Sequence, residues 1–176
     1  MMTKIKAWHF TAYKLRDGRP LPADREVLHH DGPLVMCESG LHWSRMPLAA
    51  LQYAPGPILC RVEVWGDIIE DSDKGISRNR VILWRLDATD LLRKFARRCA
   101  LDVAHLWDAP EIVLNYLRTG DESIRAAAWA AARDSAWAAA WDAAWAAARA
   151  MLADAAGAAA WAKYLGWLHA LLGIEP

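Results

Sequence analysis

Arg125, Trp129, Arg133, Trp137, Trp141, Trp145 and Arg149 stand four residues apart, and almost every place between them holds a small residue. Of the 35 residues from Ala126 to Ala160, 22 are alanine. Alanine has the highest helix propensity of any residue, so this tract is constrained to helix. A step of four residues turns about 400°, and successive rungs drift about 40° around the axis. The indoles therefore wind as a stripe, and Trp137, Trp141 and Trp145 span about 80° of one face. The natural partner is the last segment, which carries Trp161, Tyr164, Leu165, Trp167, Leu168 and Leu171. A helical hairpin then follows. Either its indoles are core, or part of the stripe stays exposed as a binding face, where Trp is enriched. The tract has too few cations for a membrane-surface helix.

The tract ends a chain of 176 residues whose composition shifts near residue 120. The first 120 residues hold 17 basic and 15 acidic side chains, seven of the eight prolines and all three cysteines. The remainder holds 4 basic and 6 acidic. The formal net charge is +0, which disfavours a general nucleic-acid coat or an anionic-membrane binder. A hydrophobic fraction of 55% excludes wholesale disorder. No apolar run reaches the roughly 18 residues of a membrane span. The opening MMTKIKAWHF lacks an apolar signal core of roughly 7–15 residues. Cys37, Cys60 and Cys99 form no CxxC and read as reduced thiols. The expected location is the cytoplasm of a bacterial cell.

Strand and loop signals fill the first part. Ile5–Lys14 reads as a strand, followed by turn signals at Asp17–Pro22. Val27–His30 and Leu41–Ser44 read as short strands, and Pro47–Tyr53 as a short helix with Pro in its first turn. In Ile58–Val64, residues Ile58, Cys60, Val62 and Val64 share one face. Gly66 is expected to break this strand, with Asp67–Glu70 continuing it after a bend. Asp71–Gly75 is a turn and Arg80–Leu86 a further strand. Helices follow. One is capped by Asp87 or Thr89 and runs to about Leu101, and a short segment spans Val103–Trp107. Another runs from Glu111 to Arg118 and stops at Thr119-Gly120. The long helix is expected over about 123–156, with an interruption at Gly157, and the last helix over about 158–172.

Chemistry-bearing motifs are scarce. None of His9, His29, His30, His42, His105 and His169 forms an HExxH pair, so no metal site is expected. GxGxxG, GxxxxGK and GxSxG are absent from the sequence, so no cofactor is expected. Arg93, Lys94, Arg97 and Arg98 form a basic patch on one helix. With Arg78, Arg80 and Arg85 they are candidates for a phosphate-binding surface, although a solvated helix face is the commoner use of such a run.

Residues 37–64, CESGLHWSRMPLAALQYAPGPILCRVEV, resemble a domain of unknown function found in phage and bacterial proteins. The positions that carry the resemblance are Cys37, Ser39, Gly40, Leu41, His42, Ser44, Pro47, Leu48, Leu51, Tyr53 and Pro55, then Gly66, Asp73 and Lys74. His30-Asp31-Gly32-Pro33 resembles that family's approach to the motif, and Ala-rich tracts resemble its tails. The likeness covers roughly residues 5–90. It departs at Ser44, where many relatives carry Cys. It implies a phage or prophage origin. A fainter resemblance links His9-Phe10-Thr11, Gly40–Ser44 and Cys60–Val64 to ADP-ribosyltransferase-like and RNA 2′-phosphotransferase-like folds. That likeness implies His9, His42 and Arg61 as residues holding NAD or a phosphate.

The expectation is an α+β protein. Residues 1–86 form a small mixed sheet unit, and residues 87–176 form a helical region ending in the Ala/Trp hairpin. Its expected role is a non-enzymatic phage or prophage interaction protein that blocks a host protein, for example a bacterial defence complex, as anti-CRISPR proteins do. Trp137, Trp141, Trp145, Arg93, Lys94, Arg97 and Arg98 are the contact candidates. One alternative is an ADP-ribosyltransferase-like enzyme or NAD/RNA-end binder using His9, His42 and Arg61. Another is a homodimer assembled through the Ala/Trp helices.

Overall fold

The computed structural model describes residues 4–15, 18–134 and 155–174. The chain divides into two units, Met1–Thr89 and Asp90–Pro176. The fold class is α+β, with the sheet in the first unit and helices following it.

The first unit contains β1 (Ile5–Thr11), β2 (Val27–His29), β3 (Leu41–Trp43), α1 (Pro47–Leu51), β4 (Ile58–Glu70) and β5 (Gly75–Asp87). The sheet order is β1-β4-β5-β2, and β3 pairs with β5 beyond β2. Every pairing among these strands is antiparallel, not mixed. Parallel neighbours need a crossover of a dozen or more residues, usually a long helix, and the one helix between these strands has five residues. The long β4–β5 hairpin turns at Asp71–Lys74, where Asp71 N–H donates to the Lys74 carbonyl at 2.8 Å.

β4 continues past Gly66 through Asp67–Glu70, as the expected bend allows. Gly66 sits at φ +90 inside a register shift between Trp65 and Ile68. A Cβ there would stand 2.7 Å from Asn79 Nδ2, so the bulge needs glycine for both dihedral and space. The core of this unit gathers Ala7, Trp43, Ile58, Cys60, Val62, Val64 and Ile82. The alternation 58-60-62-64 read from sequence is its backbone. Pro47, Leu48, Ala49 and Ala50 of α1 are buried as well.

The second unit contains α2 (Thr89–Asp102), α3 (Glu111–Thr119), α4 (Arg125–Asp134) and α5 (Ala155–Leu172). Single 3-10 turns lie at Ala104–Leu106 and Glu122–Ile124. Asp87 Oδ1 accepts from both the Thr89 N–H and the Thr89 hydroxyl, so the two cap candidates act together. Gly120 at φ +70 closes α3, its N–H donating to the Tyr116 carbonyl at 2.8 Å. Asp121 then accepts from the Ser123 N–H at 2.9 Å and starts the next turn.

The long helix begins at Arg125 and is described as far as Asp134. Residues 135–154, with Trp137, Trp141 and Trp145, lie outside the described residues, and so does the expected hairpin packing. In α4 the small residues Ala128 and Ala132 are buried against Val113 of α3. Trp129 is 48% exposed. At α5, Gly157 is an interior helical residue and not a break, because glycine costs a helix about 1 kcal/mol without blocking a hydrogen bond. Lys163 Nζ and Tyr164 Oη both donate to Asp102 of α2, and Arg98 lies 4.0 Å over the Trp167 ring.

Candidate anion site

Cross-strand partners lie on the same face of a sheet. His9 of β1 pairs with Cys60 of β4, and Cys60 pairs with Arg85 of β5, so these three form one row. Val64 pairs with Arg80, which places Arg80 on that face too, further along β5. Trp8, Arg61 and Trp84 form the neighbouring row, and strand alternation turns that row to the opposite face. The implied trio of His9, His42 and Arg61 is therefore divided. His9 lies on the Arg80 face of the sheet, and Arg80 meets His42 at its backbone carbonyl. Arg61 stacks at 4.3 Å over the Trp8 ring, which meets Trp84 edge-on at 5.7 Å.

Three arginines of β5 differ in their partners. Arg85 donates to the Asp24 carboxylate and to the Pro22 carbonyl. Arg78 pairs with Asp67 and donates to the carbonyls of His30 and Gly32. Arg80 is 5% exposed. Its one hydrogen bond among the described residues runs from Nη1 to the His42 carbonyl at 2.6 Å. No carboxylate among the described residues pairs with it, and its Nε is buried with no acceptor. The other orphaned buried side-chain atom among the described residues is Trp43 Nε1, in the residue next to His42. Both orphans are donors. Such atoms are rare in folded proteins because each carries its full desolvation penalty.

The electrostatics agree with the geometry. Burial pulls the Arg80 guanidinium down to about 10. Burial, then the Arg80 charge, then the His42 ring hold His9 well below the usual histidine range. Burial pushes the Cys60 thiol up to about 11 against the opposing pull of Arg80 and Arg85, with Asp24 adding to the rise. That thiol is a packing group and not a nucleophile at neutral pH. The arrangement is a buried guanidinium whose Nε has no acceptor among the described residues, on the same sheet face as His9.

The motif residues have physical roles around this cluster. Gly40, at φ +129, lies so close to Ile76 that a Cβ would stand 3.0 Å from the Ile76 Cβ. Ser39 Oγ lies 2.9 Å from His30 Nε2. Ser44 is buried and exchanges two backbone hydrogen bonds with Trp8, each 2.8 Å, so its main chain clamps β1 beside β3.

The basic patch of α2 is largely committed within its own unit. Arg93 pairs with Asp90, Arg97 lies 6.0 Å over the Tyr116 ring, and Arg98 covers Trp167. Lys94 is exposed. Among the described residues, no three or more His, Cys, Asp or Glu side chains are grouped to hold a metal. No described helix is long and apolar enough to cross a membrane. Arg80 was legible in the sequence as one of several basic residues near α2. Its distinctive signal was a lone cation two residues before Ile82, on the apolar face of its strand.

Residues 5–94, which are 90 of the 176, match a family described as a domain of unknown function, DUF7666. No curated protein and no solved structure matches the chain. The matched span holds the whole sheet, α1 and the cluster around Arg80, and the chain belongs to the DUF7666 family of domains of unknown function.

Proposed function

We propose that the first unit is a binding module for a small anionic ligand, held by Arg80 with His9 and His42. The observation that carries this reading is Arg80 itself, a buried guanidinium with an orphaned Nε and no carboxylate among the described residues. A buried charge is normally paired, because leaving it bare costs several kcal/mol. A ligand anion removes that cost when it binds and gives up water for charge-assisted hydrogen bonds. This is the NAD or RNA-end reading with Arg80 in the place assigned from sequence to Arg61. Isothermal titration of the full chain with NAD, inorganic phosphate and a phosphorylated RNA end tests it. Binding that Arg80→Met abolishes supports it, and silence with all three anions rejects it.

A second reading is an interaction protein of phage or prophage origin that acts in the bacterial cytoplasm on a host protein such as a defence complex. Trp129 favours it. The first indole of the stripe is half exposed while Ala128 and Ala132 take the buried seam of α4. On this reading Trp137, Trp141 and Trp145 extend the contact, together with Lys94. A pull-down from host lysate with the full chain and with Trp129→Ala tests it. A stoichiometric partner lost in the variant supports this reading, and equal capture by both removes Trp129 from the contact.

A further inference from the structure

We infer that the helical unit docks an acidic peptide segment of a partner protein beside the contact of α2 with α5, with Lys94 and Arg98 as the cationic seat. This rests on the interaction reading and names the partner's chemistry, at residues other than Trp129. Two observations carry it. The first is an unmatched pair of charges. Lys94 and Arg98 stand four residues apart on α2, so they share one face about 6 Å apart. Both are exposed, and neither makes an ion pair or a hydrogen bond with a described residue. Asp102, one turn beyond Arg98, is already engaged by α5, because it accepts from both Lys163 Nζ and Tyr164 Oη. Arg93 is paired with Asp90. Lys94 and Arg98 are therefore the surplus charge of this face among the described residues.

The second observation is how Arg98 is held. Its guanidinium lies 4.0 Å over the Trp167 ring, which also has Lys163 at 5.0 Å and Tyr164 at 5.4 Å. Stacking fixes a guanidinium's plane and leaves its N–H edge to fork onto a carboxylate. Arg97, by contrast, packs against Gly120 and Tyr116 and serves the fold. Carboxylates four apart on a helix, or two apart on a strand, match the spacing of the seat at about 6–7 Å. A nucleic-acid strand matches it less well. Its affinity grows with the number of phosphates neutralised, and the seat offers two unmatched cations. Base stacking needs an open ring, and Trp167 already carries three side chains.

The test is fluorescence anisotropy of fluorescein-labelled octaglutamate titrated with the full chain at low salt, beside a labelled thymidine octanucleotide. The expected result is octaglutamate binding that weakens with added salt and exceeds oligonucleotide binding. Lys94→Gln combined with Arg98→Gln should weaken it about five- to tenfold. Lys94→Gln alone disturbs no described contact and should weaken it about two- to threefold, so the outcome does not depend on whether the Arg98 substitution folds. No binding of octaglutamate, or equal binding by parent and variants, overturns the proposal. Tighter binding of the oligonucleotide overturns the acidic-peptide assignment. A host partner still captured in the pull-down after any of these failures leaves the interaction reading standing on Trp129 and removes this seat from it.

Discussion

The indole of Trp43 lies against the bare Cα of Gly75, its cross-strand partner, so closely that a Cβ on Gly75 would overlap the ring. Trp43 is 2% exposed and joins the core formed by Val62, Val64 and Ile82. Glycine is required here for space and not for backbone dihedral. Gly75→Ala should cost about 1–3 kcal/mol through overpacking. Chemical denaturation of the full chain measures it. A variant as stable as the parent would mean that the indole has room to shift.

Arg80→Met separates a ligand role from a structural one. A buried, unpaired guanidinium does not stabilise a fold, and an apolar side chain of similar length relieves its desolvation. The loss of the bond to the His42 carbonyl opposes that gain by about 1–3 kcal/mol. The two effects are similar in size, so thermal unfolding of the variant should stay near the parent value while anion binding disappears. A variant that binds phosphate as well as the parent would remove Arg80 from the site.

His9 makes stability depend on pH in a definite direction. Its pKa in the fold lies well below the ordinary value of about 6.5. Below that value the unfolded chain takes up a proton that the folded chain refuses, so stability falls as pH falls and is fully present above it. His169, held low by burial in α5, contributes with the same sign. Unfolding temperatures of the parent should drop between about pH 7 and pH 5, and His9→Gln should drop less. An equal drop in both would show that His9 does not contribute.

Arg61 provides the contrast, because strand alternation puts it on the other side of the sheet from His9. Arg61→Ala should lose its stacking on Trp8, worth about 0.5–1 kcal/mol at a partly exposed position. Phosphate affinity should be unchanged. A large loss of affinity from this variant would restore the trio implied by resemblance.

The three thiols should react in a fixed order. Cys37 is exposed, whereas Cys60 and Cys99 are each pushed up to about 11, first by burial. Thiolate and access both control alkylation. Intact-mass analysis of the native chain with iodoacetamide near pH 8 should show one fast adduct, at Cys37. Fast labelling of Cys60 would mean that the β1–β4 core opens readily.

Local physics made much of this fold readable from the residues alone. The period-two apolar run from Ile58 to Val64 identified a core strand, and Gly120 and Asp121 marked where one helix stops and the next begins. These signals are local because a side chain's period, or a residue's capping chemistry, acts on its own segment. Gly66 read as a break with the strand resuming over Asp67–Glu70 after a bend, and the bulge that joins the two halves depended on Asn79 across the hairpin. The composition of β1 pointed both ways, since Trp8 and Phe10 alternate with Ala7 and His9 and both sets are at least partly buried. Only pairing with β4 settled which set faces Cys60. Arg61 followed from that pairing, being adjacent to Cys60 and therefore on the other face. The identity of Arg80 as the unpaired cation was decided by tertiary structure alone. Asp67 and Asp24 reach Arg78 and Arg85 from elsewhere in the chain, and no described carboxylate reaches Arg80. A charge's worth depends on which partners the fold brings within a few ångströms, and that distance is not encoded in the neighbours along the strand.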